Sequence, residues 1–162
     1  MASAIEIKQK NRKNVFRIIY EGKKISKSEI AKRLELSMPT IAQNLSELFE
    51  KNLIYVNGTF DSTGGRKAKA IEFNAGARHS IGIDITKNHI SGVLLNLYGE
   101  IIYSVRLRFR FQSKDSYYSE LQKLVEHMIK KSGVETESIL GIGISIPAIV
   151  EKDNKKVSYI PI

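Results

Sequence analysis

Met38, Thr40, Gln43 and Asn44 are the residues of this chain whose types and spacing point most directly to chemistry. A Gln or Asn side chain offers one carbonyl acceptor and an amide donor pair, the set that matches the major-groove edge of adenine. Each good bidentate pair of this kind discriminates against a wrong base by about 1–3 kcal/mol. A second group follows at Gly64, Gly65, Arg66 and Lys67. Two bare backbone positions let a chain approach a sugar-phosphate wall, and Arg66 suits the concentrated negative potential of a narrow minor groove. Lys67 and Lys69 would then lie near phosphates. A flexible basic hairpin tip has the same composition, so the tip alone leaves both readings open.

These groups need elements to hold them, and the apolar spacing supplies candidates. Residues 26–34 form a short predicted helix in which Ile30, Ala31 and Leu34 share one face, with Lys27, Lys32 and Arg33 left to solvent or phosphate. Glu35, Leu36 and Ser37 make a turn. Residues 38–51 form a second predicted helix with Ile41, Leu45, Leu48 and Phe49 as its buried stripe and Thr40, Gln43, Asn44 and Glu47 facing outward. Ser37 is placed as its N-cap and Pro39 falls in its first turn, where a missing N–H costs nothing. The turn position often given to Gly is Glu35, a residue that pays for a positive φ. Residues 53–56 and 70–73 have strand character and flank the Gly-rich tip. The order is helix, turn, helix, wing, and in such an arrangement the N-terminal end of the second helix enters the major groove of duplex DNA. The expected DNA contacts are Lys27, Ser37, Met38, Pro39, Thr40, Gln43, Asn44, Gly64, Gly65, Arg66 and Lys67. A helix over residues 5–21 precedes them, with Ile7, Val15, Ile18 and Ile19 as its apolar side. Gly22 is its expected C-terminal cap, and Lys8 and Lys10 lie toward either phosphate or plain solvent.

Charge agrees with a polyanionic partner. The 162 residues carry a net charge of +9, unevenly spread: through Arg78, 15 Lys and Arg stand against 8 Asp and Glu, and after it 11 stand against 9. The excess of +7 in the first part against +2 in the second is the footprint expected for nucleic acid. No stretch approaches the roughly 20 apolar residues of a membrane span, and the opening MASAIEIKQKNRK lacks a signal-peptide core. With no Cys there is neither a disulfide framework nor a thiolate zinc site, and the chain reads as cytoplasmic. His79, His89 and His127 lack ligand spacing, and no Ser/His/Asp arrangement stands out, so neither metal, cofactor nor catalysis is expected. Arg106, Arg108 and Arg110 alternate with Leu107, Phe109 and Phe111, which fits a solvent-facing strand side or a phosphate-contacting one.

Beyond the small-residue stretch at residues 74–78 the period changes. Strands are expected over residues 80–85, 90–96, 101–109 and 140–146, with an amphipathic helix over 115–131 before the last. That helix carries Tyr117, Leu121, Leu124, Val125, Met128 and Ile129 on one stripe. The helical crossover predicts that the fourth strand lies parallel to the first and beside it.

The wing tip STGGRK, the run GIDITKNHISGVLLNLYGEII and the strand GIGISIPAIV, in this order, resemble a repressor of the ROK family, and the resemblance covers residues 7–162. It implies a mixed α/β architecture: a winged helix-turn-helix domain at residues 1–76 and, at 77–162, part of a sugar-kinase-like lobe of the ribonuclease H and actin type. It also implies a homodimer on a double-stranded DNA operator, controlling carbohydrate-use genes and responding to a sugar or sugar phosphate. In kinases of the family an Asp followed by Gly-Gly-Thr holds ATP phosphates. Here Asp84 is followed by Ile85, Thr86, Lys87 and Asn88, and the bare amides of a phosphate cradle are missing. Gly141, Gly143, Ser145 and Pro147 match the family's Gly-rich strand and turn, with Ala148 where Gly is common; a tightly packed buried strand is the expected role. The family's sugar-binding Glu and His, its zinc motif and its catalytic Asp come later than residue 162, so an incomplete sugar pocket and an unpaired sheet edge are expected. Two other readings remain at this point: an ATP-dependent sugar kinase, and a DNA-binding module without sequence preference.

Overall fold

Ser3, Ser26 and Ser37 each start a helix, and in each case the hydroxyl accepts a backbone N–H that the first turn would otherwise leave unpaired. Ser3 caps α1 (Ala4–Gly22) in a reciprocal box, receiving the Glu6 N–H at 3.2 Å while its own N–H donates to Glu6 Oε2 at 2.7 Å. Ser26 caps α2 (Lys27–Leu34), and Ser37 caps α3 (Met38–Glu50). The computed structural model describes residues 3–61, 67–146, 149–150 and 157–159. They fall into two units, Met1–Asn74 and Ala75–Ile162.

In the first unit a three-stranded antiparallel sheet closes against the helices, in the order β1 (Lys24–Ser26), β3 (Lys69–Phe73), β2 (Ile54–Thr59). Val15 and Ile19 of α1, Ile30 of α2, Ile41, Leu45 and Leu48 of α3, and Ile25, Ile54, Ile71 and Phe73 of the strands form the buried apolar set. Phe73 lies edge-on to Phe16 and Tyr20, with ring centroids 5.3 and 5.2 Å away. The α2–α3 turn is made as the missing glycine implied. Glu35 adopts the left-handed conformation at φ 53°, and N–H groups at this turn bond back to the carbonyls of Ala31 and Lys32.

At several points this unit differs from expectation or adds to it. Gly22 is the last helical residue of α1, and Lys23 takes the positive φ of 58° after it. The stretch after Gly22 is a strand, because Ile25 needs burial and pairs with Ile71 of β3. Ile7 is exposed, since the apolar contacts of α1 begin only at its middle. Phe49 is 38% exposed, because the core side of α3 is centred on Ile41 and Leu48 and Phe49 lies beside it rather than on it.

In the second unit a four-stranded sheet runs β6 (Ile101–Arg108), β5 (His89–Asn96), β4 (His79–Ile85), β7 (Ile139–Ser145). The first three form an antiparallel meander, and β7 returns parallel beside β4 after α4 (Asp115–Ser132), as the crossover predicted. Tyr117, Leu124 and Met128 of α4 pack onto Ile81, Ile83, Ile90 and Leu94. A short pair, β8 (Ile149–Val150) and β9 (Val157–Tyr159), completes the described elements. β7 departs from its expected burial: Leu140, Ile142 and Ile144 are 67%, 49% and 56% exposed. The register sets Ile142 beside Ile81 and Ile144 beside Ile83, on the apolar side of the sheet. α4, however, packs over β5 and β6, and so the edge strand is left open among the described residues.

Candidate nucleic-acid interface

α3 presents three distinct sides, which follow from 3.6 residues per turn. Ile41, Leu45 and Leu48 point into the core; Pro39 and Gln43 are exposed; Met38 and Phe49 lie along a third stripe. Ser37 is spent on capping, its Oγ 3.4 Å from the Thr40 N–H and 2.9 Å from Thr40 Oγ1. Thr40 is half-buried. Lys27, half-buried, is the first residue of α2, and Lys67, on the approach to β3, is exposed.

Asn44 does not face outward. It is 3% exposed, its Nδ2 donates to the Thr40 carbonyl at 2.8 Å, and its Oδ1 has no hydrogen-bond partner among the described residues. It follows Gln43 directly, and on a helix that step of about 100° moves a side chain from the exposed side toward the core. Of the Gln43/Asn44 pair, only Gln43 keeps its amide available. Gly64, Gly65 and Arg66 lie outside the described residues. Among the described residues the β2–β3 hairpin is paired as far as the Phe60 N–H, which donates to the Ala68 carbonyl at 2.9 Å.

Three carboxylates of this unit, Glu29, Glu47 and Glu72, are held by local partners. Glu47 of α3 receives Lys8 Nζ at 2.7 Å and also pairs with Arg12, both from α1; these bonds hold its carboxyl below the usual carboxylate range. Glu72 of β3 receives the amide of Asn57 and the hydroxyl of Tyr55, both at 2.9 Å, with Lys24 3.8 Å away, and is likewise lowered. Glu29 is lowered by its hydrogen bond from Arg33. Lys8 is therefore engaged with protein rather than left to solvent.

Between α3 and the hairpin runs a cleft of about 960 Å³ that the sequence reading did not identify, with Lys27, Met38, Ala42, Phe49, Lys67 and Lys69 in its walls. The sequence signal was present: Met38, Ala42 and Phe49 are spaced i, i+4, i+11, a second apolar stripe beside the core one.

In the second unit Asp84 and Ser145 are register partners at the carboxyl ends of β4 and β7, and with Gly82, Gly143, Ser91 and Val93 they line an open depression of about 460 Å³. Gly143 is thus on a surface, not in a packed interior. Pro147 and Ala148 lie outside the described residues. His79 is buried, and burial lowers its pKa. Arg106, Arg108 and Arg110 are exposed. Among the described residues no group of three or more His, Asp or Glu could hold a metal ion, and no helix is long and apolar enough to cross a membrane.

The family model described as "ROK family" matches residues 80–162. The chain is 29% identical over 155 residues to a protein named xylose repressor from Bacillus spizizenii, covering 96% of this chain and 40% of that protein. It is 33% identical over 156 residues to a putative xylose repressor from Caldicellulosiruptor sp. strain Rt8B.4, covering 96% of this chain and 39% of the relative. The chain thus spans about two fifths of the length of these curated relatives. A crystal structure titled as a ROK family transcriptional regulator, homologue of the E. coli MLC protein, shares the fold with a TM-score of 0.64 and 21% identity, covering 96% of this chain and 39% of that one.

Proposed function

The chain belongs to the ROK family, and from that premise we propose that it is the DNA-binding part of a sequence-specific transcriptional regulator, a repressor of carbohydrate-use genes that responds to a sugar or sugar phosphate. Residues 1–76 act as the winged helix-turn-helix domain and residues 77–162 as part of the sensor domain. The observation that carries the reading is α3 itself: a helix capped by Ser37 whose N-terminal end exposes Met38, Pro39 and Gln43, flanked by a hairpin and three lysines. The repressor names of two relatives that match nearly the whole chain support it.

In this mechanism the N-terminal end of α3 enters the major groove, where Gln43 reads a base edge. The hairpin tip, with Gly64, Gly65, Arg66 and Lys67, enters the adjacent minor groove. Lys27 holds a phosphate, and two copies bind operator half-sites related by a two-fold axis. The protein works in the cytoplasm and catalyses no reaction. Asp84 is followed by no glycine pair, which weighs against an ATP-phosphate cradle.

The test is fluorescence anisotropy of the chain on its own promoter region and on scrambled DNA across a salt series, with Arg66→Ala in parallel. A preference of about a thousandfold or more, reduced in Arg66→Ala, is the expected result. Equal affinity for both duplexes, falling steeply with salt, would overturn sequence-specific reading.

A further inference from the structure

We infer that the cleft between α3 and the β2–β3 hairpin is a thymine-reading site, in which Met38 and Ala42 receive the 5-methyl group while Lys27, Lys67 and Lys69 hold the phosphates of the strand that bears it. The inference rests on the DNA-binding reading above and adds the base chemistry that the helix selects.

The first support is charge. The thirteen residues lining the cleft include three lysines and no Asp or Glu. The nearby carboxylates Glu29, Glu47 and Glu72 are each engaged by Arg33, by Lys8 and Arg12, or by Lys24. None of the three cleft lysines forms an ion pair among the described residues. The cleft is therefore a positive channel, and its occupant is an anion.

The second support is that the floor is apolar. Met38, Phe49 and Val56 are 47%, 38% and 44% exposed along it. An occupant must combine negative charge with apolar surface, and a single DNA strand does so through phosphates, deoxyribose faces and thymine methyl groups. A helix in the major groove and a hairpin in the adjacent minor groove must straddle one sugar-phosphate strand, and that strand runs through the space between them. Its concave shape does not suit a flat anionic membrane.

The third support is position. Met38 is the first residue of α3, and Ala42 stands four residues on, so both side chains share one side of the end that meets the bases. Among the four bases only thymine presents a methyl group in the major groove, and alanine and other apolar side chains are its usual partners. Gln43, next to Ala42, carries the amide suited to adenine. The two together select adjacent A·T pairs.

The experiment starts by enriching preferred duplexes from a random pool with this chain. Each thymine of the selected site is then replaced in turn by deoxyuridine, which removes only the methyl group, and binding is measured for the chain, Met38→Gln and Ala42→Ser. At one or more thymines the expected loss is about fourfold, the effect of burying one methyl group. That loss should shrink to less than about twofold in the two variants. In parallel, Lys27→Gln, Lys67→Gln and Lys69→Gln each lower the salt slope by about one. Deoxyuridine without effect at every thymine, or an equal effect in wild type and both variants, would overturn the thymine site while leaving operator reading intact. A pool with no enriched sequence would overturn operator reading itself, and the thymine site with it.

Discussion

Lys8 Nζ lies 2.7 Å from Glu47 Oε1, an ion pair that joins α1 to the helix bearing Gln43. Arg12 reaches the other oxygen of the same carboxylate. Glu47 thus orients α3 against α1 and also withholds two cations from any anion that approaches this side of the helix.

Replacing Glu47 by Gln is expected to release Lys8 and Arg12. The salt slope of DNA binding should steepen by roughly one for each cation that then reaches a phosphate, while discrimination between sequences falls as α3 loses its brace. Anisotropy across a salt series measures both. An unchanged slope would show that the two cations lie beyond reach of DNA. The pair is also pH-dependent. Because the Glu47 carboxyl is held below its ordinary range, its contribution is complete above that range and is lost as pH falls through the lowered value. The melting temperatures of wild type and Glu47→Gln should therefore differ at neutral pH and converge in acid.

Gln43→Ala and Asn44→Ala are expected to separate cleanly, although the residues are adjacent. Gln43 is exposed, and its loss should cost about 1–3 kcal/mol of preference for the selected sequence with little change in melting temperature. Asn44 is buried and bonded to the Thr40 carbonyl. Its replacement should lower stability by about 1 kcal/mol and leave the sequence preference unchanged. A specificity change in Asn44→Ala, measured against a base-substitution series, would contradict the buried placement.

Glu35→Gly is expected to stabilise the first unit. A non-glycine residue in the left-handed region costs roughly 1–2 kcal/mol, and glycine returns part of that through its greater freedom when unfolded. The net gain should be about 0.5–1 kcal/mol, seen as a rise of several degrees in thermal unfolding. A fall would mean that the Glu35 side chain contributes more than its backbone strain costs.

His79 gives the second unit an acid sensitivity of its own. Ser138 Oγ donates to the Glu135 carbonyl at 2.6 Å, so in its contact of 2.8 Å with His79 the ring Nδ1–H is the donor. Burial lowers the His79 pKa, so the neutral ring's contribution is present above the ordinary imidazole value and lost as pH falls through the lowered one. Amide hydrogen exchange in β4 should accelerate over that interval in wild type and show a weaker pH response in His79→Gln. Equal responses would place the sensitivity elsewhere.

The sequence by itself determined the order and kind of the main elements. The stripes of α3 and α4, the Ser37 cap, Glu35 at the turn and the crossover that sets β7 parallel to β4 are local or nearly local properties, written in spacings of two, three and four residues. The family that STGGRK, GIDIT and GIGIS suggested is the one whose model matches residues 80–162. What only the tertiary structure decided is which side of each stripe meets a partner. Asn44 and Phe49 exchanged their expected roles because the placement of α1, α2 and the sheet rotates the buried side of α3 by a fraction of a turn, and periodicity fixes a stripe's width better than its edges. β7 carries a core-like pattern yet stands open because α4 covers β5 and β6 instead. The cleft of Met38, Ala42 and Phe49 exists only where a helix and a hairpin distant in sequence come together, and its lack of any carboxylate is visible only once Glu29, Glu47 and Glu72 are found paired on other sides.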